Sequence, residues 1–281
     1  MSLRTVNTVL ALRAAVAAAR AGGARIGFVP TMGNLHAGHL KLVETARQHA
    51  DFVVASVFVN PLQFGPNEDF ARYPRTLAAD TETLNSAGCD LLFAPPVEAM
   101  IRPGAVTTQV RVPEVTETLE GAHRPGHFDG VSTIVSILLH QVQPDVACFG
   151  QKDYQQLAVV RRMVADLHLP VEIIGVPTER AADGLALSSR NQYLSKDVRE
   201  QAPTLYRTLR EVGDALREGR GPAERLEAEA MERLRSAGFD PEYVAIRAPD
   251  LSQPGDGPWV VLTAARLDGT RLIDNIMIEK D

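Results

Sequence analysis

Cysteine is nearly absent from this chain of 281 residues: only Cys89 and Cys148 occur, each inside an apolar segment. A disulfide framework is thereby excluded, and both read as buried thiols. No apolar run reaches the ~18 residues that a membrane-spanning helix needs. The apolar segment 9–21 contains Arg13 and Arg20 and reads as an amphipathic helix, not a signal peptide. Basic excess is also missing. The 29 Lys and Arg stand against 35 Asp and Glu, a net charge of −6, which argues against a general nucleic-acid binder and still allows a local phosphate site. There are no internal repeats. No Cys/His cluster stands at zinc-binding spacing. The expectation is a soluble cytoplasmic chain whose 45% hydrophobic content can fill one large or two moderate domains.

What is present is an alternation. Apolar runs at 25–29, 52–59, 91–94, 146–149 and 171–176 read as strands. Helical patterns at 9–21, 40–48, 76–87, 131–141 and 155–167 lie between and around them. Short buried strands separated by helices predict an α/β fold with a parallel sheet covered on both faces. Ligands of such sheets bind outside the carboxyl ends of the strands. Polar clusters follow four of the strands, at 30–39, 60–64, 150–156 and 177–190. Beyond Thr178 the texture changes to charged amphipathic helices at 197–218 and 222–237, then strand-like runs at 242–246, 259–265 and 271–278. This predicts two domains, 1–178 and 179–281, the second a smaller α+β unit closing over the first.

The loop after the first strand carries the most chemistry. His36-Ala37-Gly38-His39 opens a helix, so both imidazoles share one face of its first turn. Free N–H groups and the positive dipole end at that turn favour phosphate, and Gly38 leaves the backbone open. The arrangement suits attack at the α-phosphate of a nucleotide. A capped helix start with surface imidazoles fits the same four residues, and zinc would need further ligands. Lys152 is a flexible cation suited to phosphate or a solvated loop lysine. Asp153 on its own fits a cap for the helix that follows. Ser188-Ser189-Arg190 offers two hydroxyls and a guanidinium that match phosphate oxygens, or caps the segment that follows. Asn60 ends an apolar strand, where a buried amide needs partners and is placed to orient Gln63 or a histidine. Asp80 and Glu82 are weak metal candidates, so the metal ligands stay unassigned.

Five blocks, 30–39 (Pro-Thr-Met-Gly-Asn-Leu-His-Ala-Gly-His), 58–64 (Phe-Val-Asn-Pro-Leu-Gln-Phe), 124–128 (Arg-Pro-Gly-His-Phe), 149–153 (Phe-Gly-Gln-Lys-Asp) and 187–191 (Leu-Ser-Ser-Arg-Asn), resemble the pantothenate synthetase family in content and order. The likeness covers essentially the whole chain. It implies a Rossmann-like, doubly wound ATP domain, a smaller C-terminal lid and a homodimer. The implied reaction is ATP- and Mg²⁺-dependent condensation of (R)-pantoate with β-alanine through a pantoyl adenylate. On that likeness His36, His39, Lys152 and Arg190 are the catalytic set, with His39 the proton donor at the α-phosphate. ATP would lie against Met32, Gly33, Asn34, Leu35, Ala37 and Gly38, against Gly150, Gln151 and Asp153, and against Glu179, Leu187, Ser188 and Ser189. Gln63 and Gln156 would hold pantoate, Gln63 also touching β-alanine, with Asn60 beside them and Met32, Phe64 and Val131 as apolar wall.

Two positions depart from the family pattern. Arg102 stands near a common tyrosine in a loop beside the site. Glu179 replaces a commonly apolar residue that contacts adenine through its backbone. His127 reads either as a donor behind the site or as a loop histidine. Two other readings fit the His-x-Gly-His loop: an adenylyltransferase of the phosphopantetheine or nicotinamide-mononucleotide type, which keeps AMP in its product, and a non-catalytic nucleotide-binding module.

Overall fold

The computed structural model describes residues 3–66, 68–101 and 108–280; Arg102 lies outside them. The chain runs through β1 (Arg4–Val6), α1 (Val9–Ala21), β2 (Ile26–Thr31), α2 (Ala37–His49), β3 (Phe52–Val57), α3 (Leu77–Ser86) and β4 (Leu91–Phe93). It continues through α4 (Val97–Met100), α5 (Glu120–His123), α6 (His127–Val142), β5 (Val146–Gly150), α7 (Tyr154–Asp166) and β6 (Glu172–Val176). The six strands form one sheet in the order β1-β4-β3-β2-β5-β6, every neighbouring pair parallel.

Successive strand residues point to opposite faces, and both faces are apolar. Phe28, Val54, Leu91, Phe93, Ala147 and Phe149 enter the core under α1, α6 and α7. Their neighbours Val29, Val53, Ala55, Leu92 and Cys148 enter the other core, with Leu42, Val43 and Leu84 from α2 and α3. Both cysteines are buried free thiols. From β2 the sheet grows outward through β3 and β4, then resumes on the opposite side with β5 and β6. The switch point therefore lies between β2 and β5, where doubly wound sheets bind ligands. It is flanked by Thr31 and Gly150 at the strands' carboxyl ends.

The C-terminal part contains α8 (Lys196–Gln201), α9 (Thr204–Arg217), α10 (Ala223–Ser236) and an antiparallel sheet of β7 (Asp240–Arg247), β8 (Trp259–Leu267) and β9 (Thr270–Ile278). The single helix expected over 197–218 is two helices, because Pro203 between them has no N–H for the helical ladder. Leu205, Leu209 and Val212 of α9 and Leu226, Ala230 and Leu234 of α10 fill a separate core against Ile246, Val261 and Leu272. The two parts meet where Leu119 and Tyr154 bury against Ala245, Val260 and Leu262. Beside this seam Glu120 accepts two bonds from Arg271, at 2.6 and 2.8 Å, and one from the Tyr243 hydroxyl at 2.9 Å. No helix among the described residues is long and apolar enough to cross a membrane.

Candidate active site

A cavity opens at the switch point, between the carboxyl ends of the parallel strands and the antiparallel sheet. The turn into α2 forms its floor. His36 is the N-cap of α2: its Nδ1 accepts from Gly38 N at 3.2 Å, and the Nδ1 of His39 accepts from His36 N at 3.2 Å. A backbone N–H can only donate, so both Nδ1 atoms are lone pairs and each neutral ring carries its proton on Nε2. The rings lie 4.1 Å apart, centroid to centroid. Burial, then the Lys152 charge, lowers the pKa of His36 to about 4. Burial, then the neighbouring His36 and Lys152, lowers that of His39 to about 3. At neutral pH the pair thus presents two N–H donors with no net charge. Glycine is required at position 38 by the histidine itself, since a Cβ there would fall 2.9 Å from Cε1 of His36.

The turn before this pair is held from a distance. Asp80 of α3 is buried and accepts from Asn34 N at 3.0 Å, Leu35 N at 2.8 Å and Thr76 Oγ1 at 3.1 Å. Asp80 is therefore no metal candidate: its oxygens are committed to protein donors. Glu82 is exposed, and no group of three His, Cys, Asp or Glu that could hold a metal gathers among the described residues. Bonds to a charged acceptor are worth about 1.5–3 kcal/mol each, so Asp80→Ala is expected to lower unfolding stability by roughly 3 kcal/mol and to slow turnover through the displaced turn. Urea denaturation measures the first effect; a loss under about 1 kcal/mol would mean that the turn holds itself.

Lys152 projects from the 3-10 turn Gln151–Asp153, directly after β5. The carbonyls of Gln151 and Lys152 both accept from Asn275 Nδ2 of β9, at 2.9 and 2.8 Å. Next to Asn275, the buried Asp274 binds Arg180 through two bonds of 2.6 and 2.9 Å. This anchors the loop containing Glu179. Farther along the loop Ser188 caps the 3-10 turn Ser189–Tyr193, and Ser189 Oγ donates to Asn34 O at 3.1 Å. Arg190 makes two 3.0 Å bonds to Asp69 with Nε and Nη2.

Most of the sequence-derived residues converge here. Met32, His36, Gly38 and His39 line the cavity, as do Gly150, Lys152 and Asp153. Glu179, Leu187, Ser188, Ser189 and Arg190 line it from the loop after β6, and Asn60, Gln63 and Gln156 complete the set. Gly33, Asn34, Leu35, Ala37 and Gln151 do not line it; they shape the turns whose neighbours do. Of the expected apolar wall, Met32 and Val131 are in place. Phe64 instead packs on Phe70 and Tyr73. The polar atoms of Asn60 are committed to the protein: Oδ1 accepts from Leu62 N, while Nδ2 donates to Gln63 Oε1 at 2.9 Å and Gly130 O at 3.1 Å. Tyr73, Glu120, Tyr243, Asp274 and Asn275 also line the cavity, and sequence reasoning missed them. The available cue was the polar pair Asp274-Asn275 between the apolar residues Leu272-Ile273 and Ile276-Met277-Ile278 of one strand.

Residues 4–277 match the family model described as pantoate-beta-alanine ligase. The chain belongs to that family. It is 59% identical to the pantothenate synthetase of Pseudomonas paraeruginosa, over 99% of this chain and 100% of that protein. It is 61% identical to that of Stutzerimonas stutzeri, over 99% and 98%. Among solved structures it resembles the pantothenate synthetase of Thermus thermophilus, with a TM-score of 0.90 at 52% identity, covering 97% of this chain and 98% of that one. It also resembles the pantoate-beta-alanine ligase of Francisella tularensis complexed with beta-gamma ATP and beta-alanine, with a TM-score of 0.82 at 31% identity and 98% of both chains covered. In this ligase-family chain the His-x-Gly-His turn and the Gly-Gln-Lys-Asp turn face each other across the switch point.

Proposed function

We propose that the chain joins (R)-pantoate to β-alanine using ATP, through a bound pantoyl adenylate, and releases AMP and pyrophosphate. The observation that carries this reading is the pair of neutral imidazoles with Nε2–H donors beside Lys152 and Arg190, in one cavity with two glutamines. Attack of the pantoate carboxylate on the α-phosphate concentrates negative charge there, and preorganised donors act where that charge grows. His36 and His39 serve the α-phosphate. Lys152 and Arg190 take the departing pyrophosphate, with Ser188 and Ser189 beside it. Gly150 and the Glu179 backbone border the nucleoside, and Gln63 and Gln156 hold pantoate. In the second step the amine of β-alanine attacks the acyl carbon and AMP leaves. That amine must first lose a proton, its pKa lying near ~10.

Mg²⁺ fits as an ion carried by the nucleotide, because such ions keep water and use one or two carboxylates plus phosphate oxygens. Asp153, beside Lys152 on the cavity wall, is the carboxylate that would serve. Bound there, Mg²⁺ would neutralise phosphate charge. The same proposal takes 1–178 and 179–281 as the two domains, the second closing the site as a lid, and a cytoplasmic homodimer as the working form. Light scattering tests the dimer.

Order of steps tests the reaction. With labelled pyrophosphate, ATP and pantoate, label is expected to enter ATP without β-alanine, because a free carboxylate must be activated before an amine can attack it. Exchange that strictly required β-alanine would overturn the adenylate step. Exchange without pantoate would point to another substrate. An adenylyltransferase, by contrast, would retain AMP in its product.

A further inference from the structure

Gln63 stands at the end of the 3-10 turn Pro61–Gln63, and its side-chain Oε1 accepts from Asn60 Nδ2 at 2.9 Å. Its main-chain carbonyl is gripped twice as well, by Arg124 Nη2 at 3.3 Å and by His127 Nδ1 at 2.9 Å. The other ring nitrogen, Nε2 of His127, meets Arg124 Nη1 at 3.1 Å. A carbonyl oxygen only accepts and a guanidinium only donates. The ring must therefore carry its proton on Nδ1 and present its lone pair at Nε2. This is the opposite tautomer to His36 and His39. Both nitrogens are spent on the protein, so none is left for a substrate proton. Burial, then the Arg124 charge, lowers the pKa of His127 to about 4, which keeps the neutral ring in place at neutral pH.

The grip is itself anchored. Arg124 makes two bonds to Glu68, at 2.7 and 2.6 Å, the forked geometry that fixes a guanidinium plane. Its Nη1 also lies 3.7 Å from Glu120, which holds Arg271 and Tyr243 of the antiparallel sheet. Across the turn, α6 presses directly on the backbone. A Cβ on Gly130 would fall 2.2 Å from Leu62 O and 2.7 Å from Gln63 N.

We propose that Arg124 and His127 are positioning residues for pantoate: they clamp the main chain of Gln63 so that its amide enters the cavity in one orientation, with His127 a neutral Nδ1–H connector and not the base for β-alanine. The proposal rests on the assignment of pantoate to Gln63. It makes the Arg-Pro-Gly-His block a brace for substrate selection.

Two measurements test it on the full chain. Long-range proton–nitrogen NMR of histidine-labelled protein at neutral pH reads the tautomer without any substitution. His127 is expected as Nδ1–H, and a proton on Nε2 overturns the clamp. The second is a double-mutant cycle in the pyrophosphate exchange assay, which separates residues acting through one another from independent ones. His127→Phe keeps the ring volume and removes both bonds. It is expected to raise KM for pantoate on the order of tenfold with KM for ATP nearly unchanged, and His127→Asn, which keeps a donor for the carbonyl, to recover much of the loss. In a Gln63→Ala background His127→Phe should add nothing. Full additivity, or equal rises in both KM values, overturns the proposal. If Gln63→Ala alone leaves KM for pantoate unchanged, the pantoate assignment fails and the clamp loses its purpose with it.

Discussion

His39→Ala is expected to lower turnover by ~10²–10³ while leaving ATP affinity within a few-fold of the parent. The Nε2–H of His39 is a fixed donor whose partner charge exists mainly in the transition state, so its loss falls on kcat more than on binding. Removing the ring also frees the N–H of His36, which now donates to His39 Nδ1. Exchange kinetics against an ATP-binding titration separates the two effects, and near-normal turnover would remove His39 from the mechanism. The same rings set an acid limit on stability. In the unfolded chain a histidine takes up its proton near pH ~6.5, whereas the folded values are about 4 for His36, about 3 for His39 and about 4 for His127. The unfolded state therefore binds more protons as pH falls below about 6.5. Their contribution to stability is complete above that value and is lost progressively as pH falls to about 4 for His36 and His127 and about 3 for His39. Denaturation midpoints in neutral and mildly acidic buffer check the sign.

Arg190→Ala is expected to reduce turnover by ~10³ or more, the range for removing an arginine that stabilises phosphoryl-transfer charge. It should also destabilise the fold by roughly 2 kcal/mol, less than for a fully buried pair because the guanidinium is partly exposed. The second effect arises because burial raises the pKa of Asp69 and its bonds to Arg190 outweigh this to bring it below the usual value, so the carboxylate loses the partner that offsets its burial. Adding Asp69→Asn should restore stability and leave turnover low. If the double variant regained turnover, Arg190 would only be neutralising Asp69.

The strand–turn–helix unit from β2 to α2 is legible in the sequence because its signals are local: an apolar run, a turn, then histidines at helical spacing. β1 is not legible. It has three residues at the sheet edge, and only Val6 of them is buried, too little for periodicity to register. The fork in 197–218 turns on one proline inside an otherwise helical pattern. At the site, the chemistry-bearing side chains can be named from their motifs, but what holds them cannot. Asp80 supports a turn 45 and 46 residues away, and Arg271 reaches Glu120 across 151 residues. Such contacts leave no periodic trace, because sheet order and the fold of the second unit bring them together. Gly38 reads from the sequence as an opening towards the ligand, whereas the crowding that requires it comes from the ring of His36.

Asn275 holds the carbonyls of Gln151 and Lys152, which gives the site a place in time. The ribosome delivers Asn275 123 residues after Lys152, roughly 6–25 s later at about 5–20 residues per second. A nascent chain can by then have paired β2, β3 and β5 and started α2 and α7, yet the turn carrying the lysine still lacks its tether. Competence thus arrives with the last strand, so unfinished or frayed chains hold the outline of a nucleotide site without a fixed cation in it.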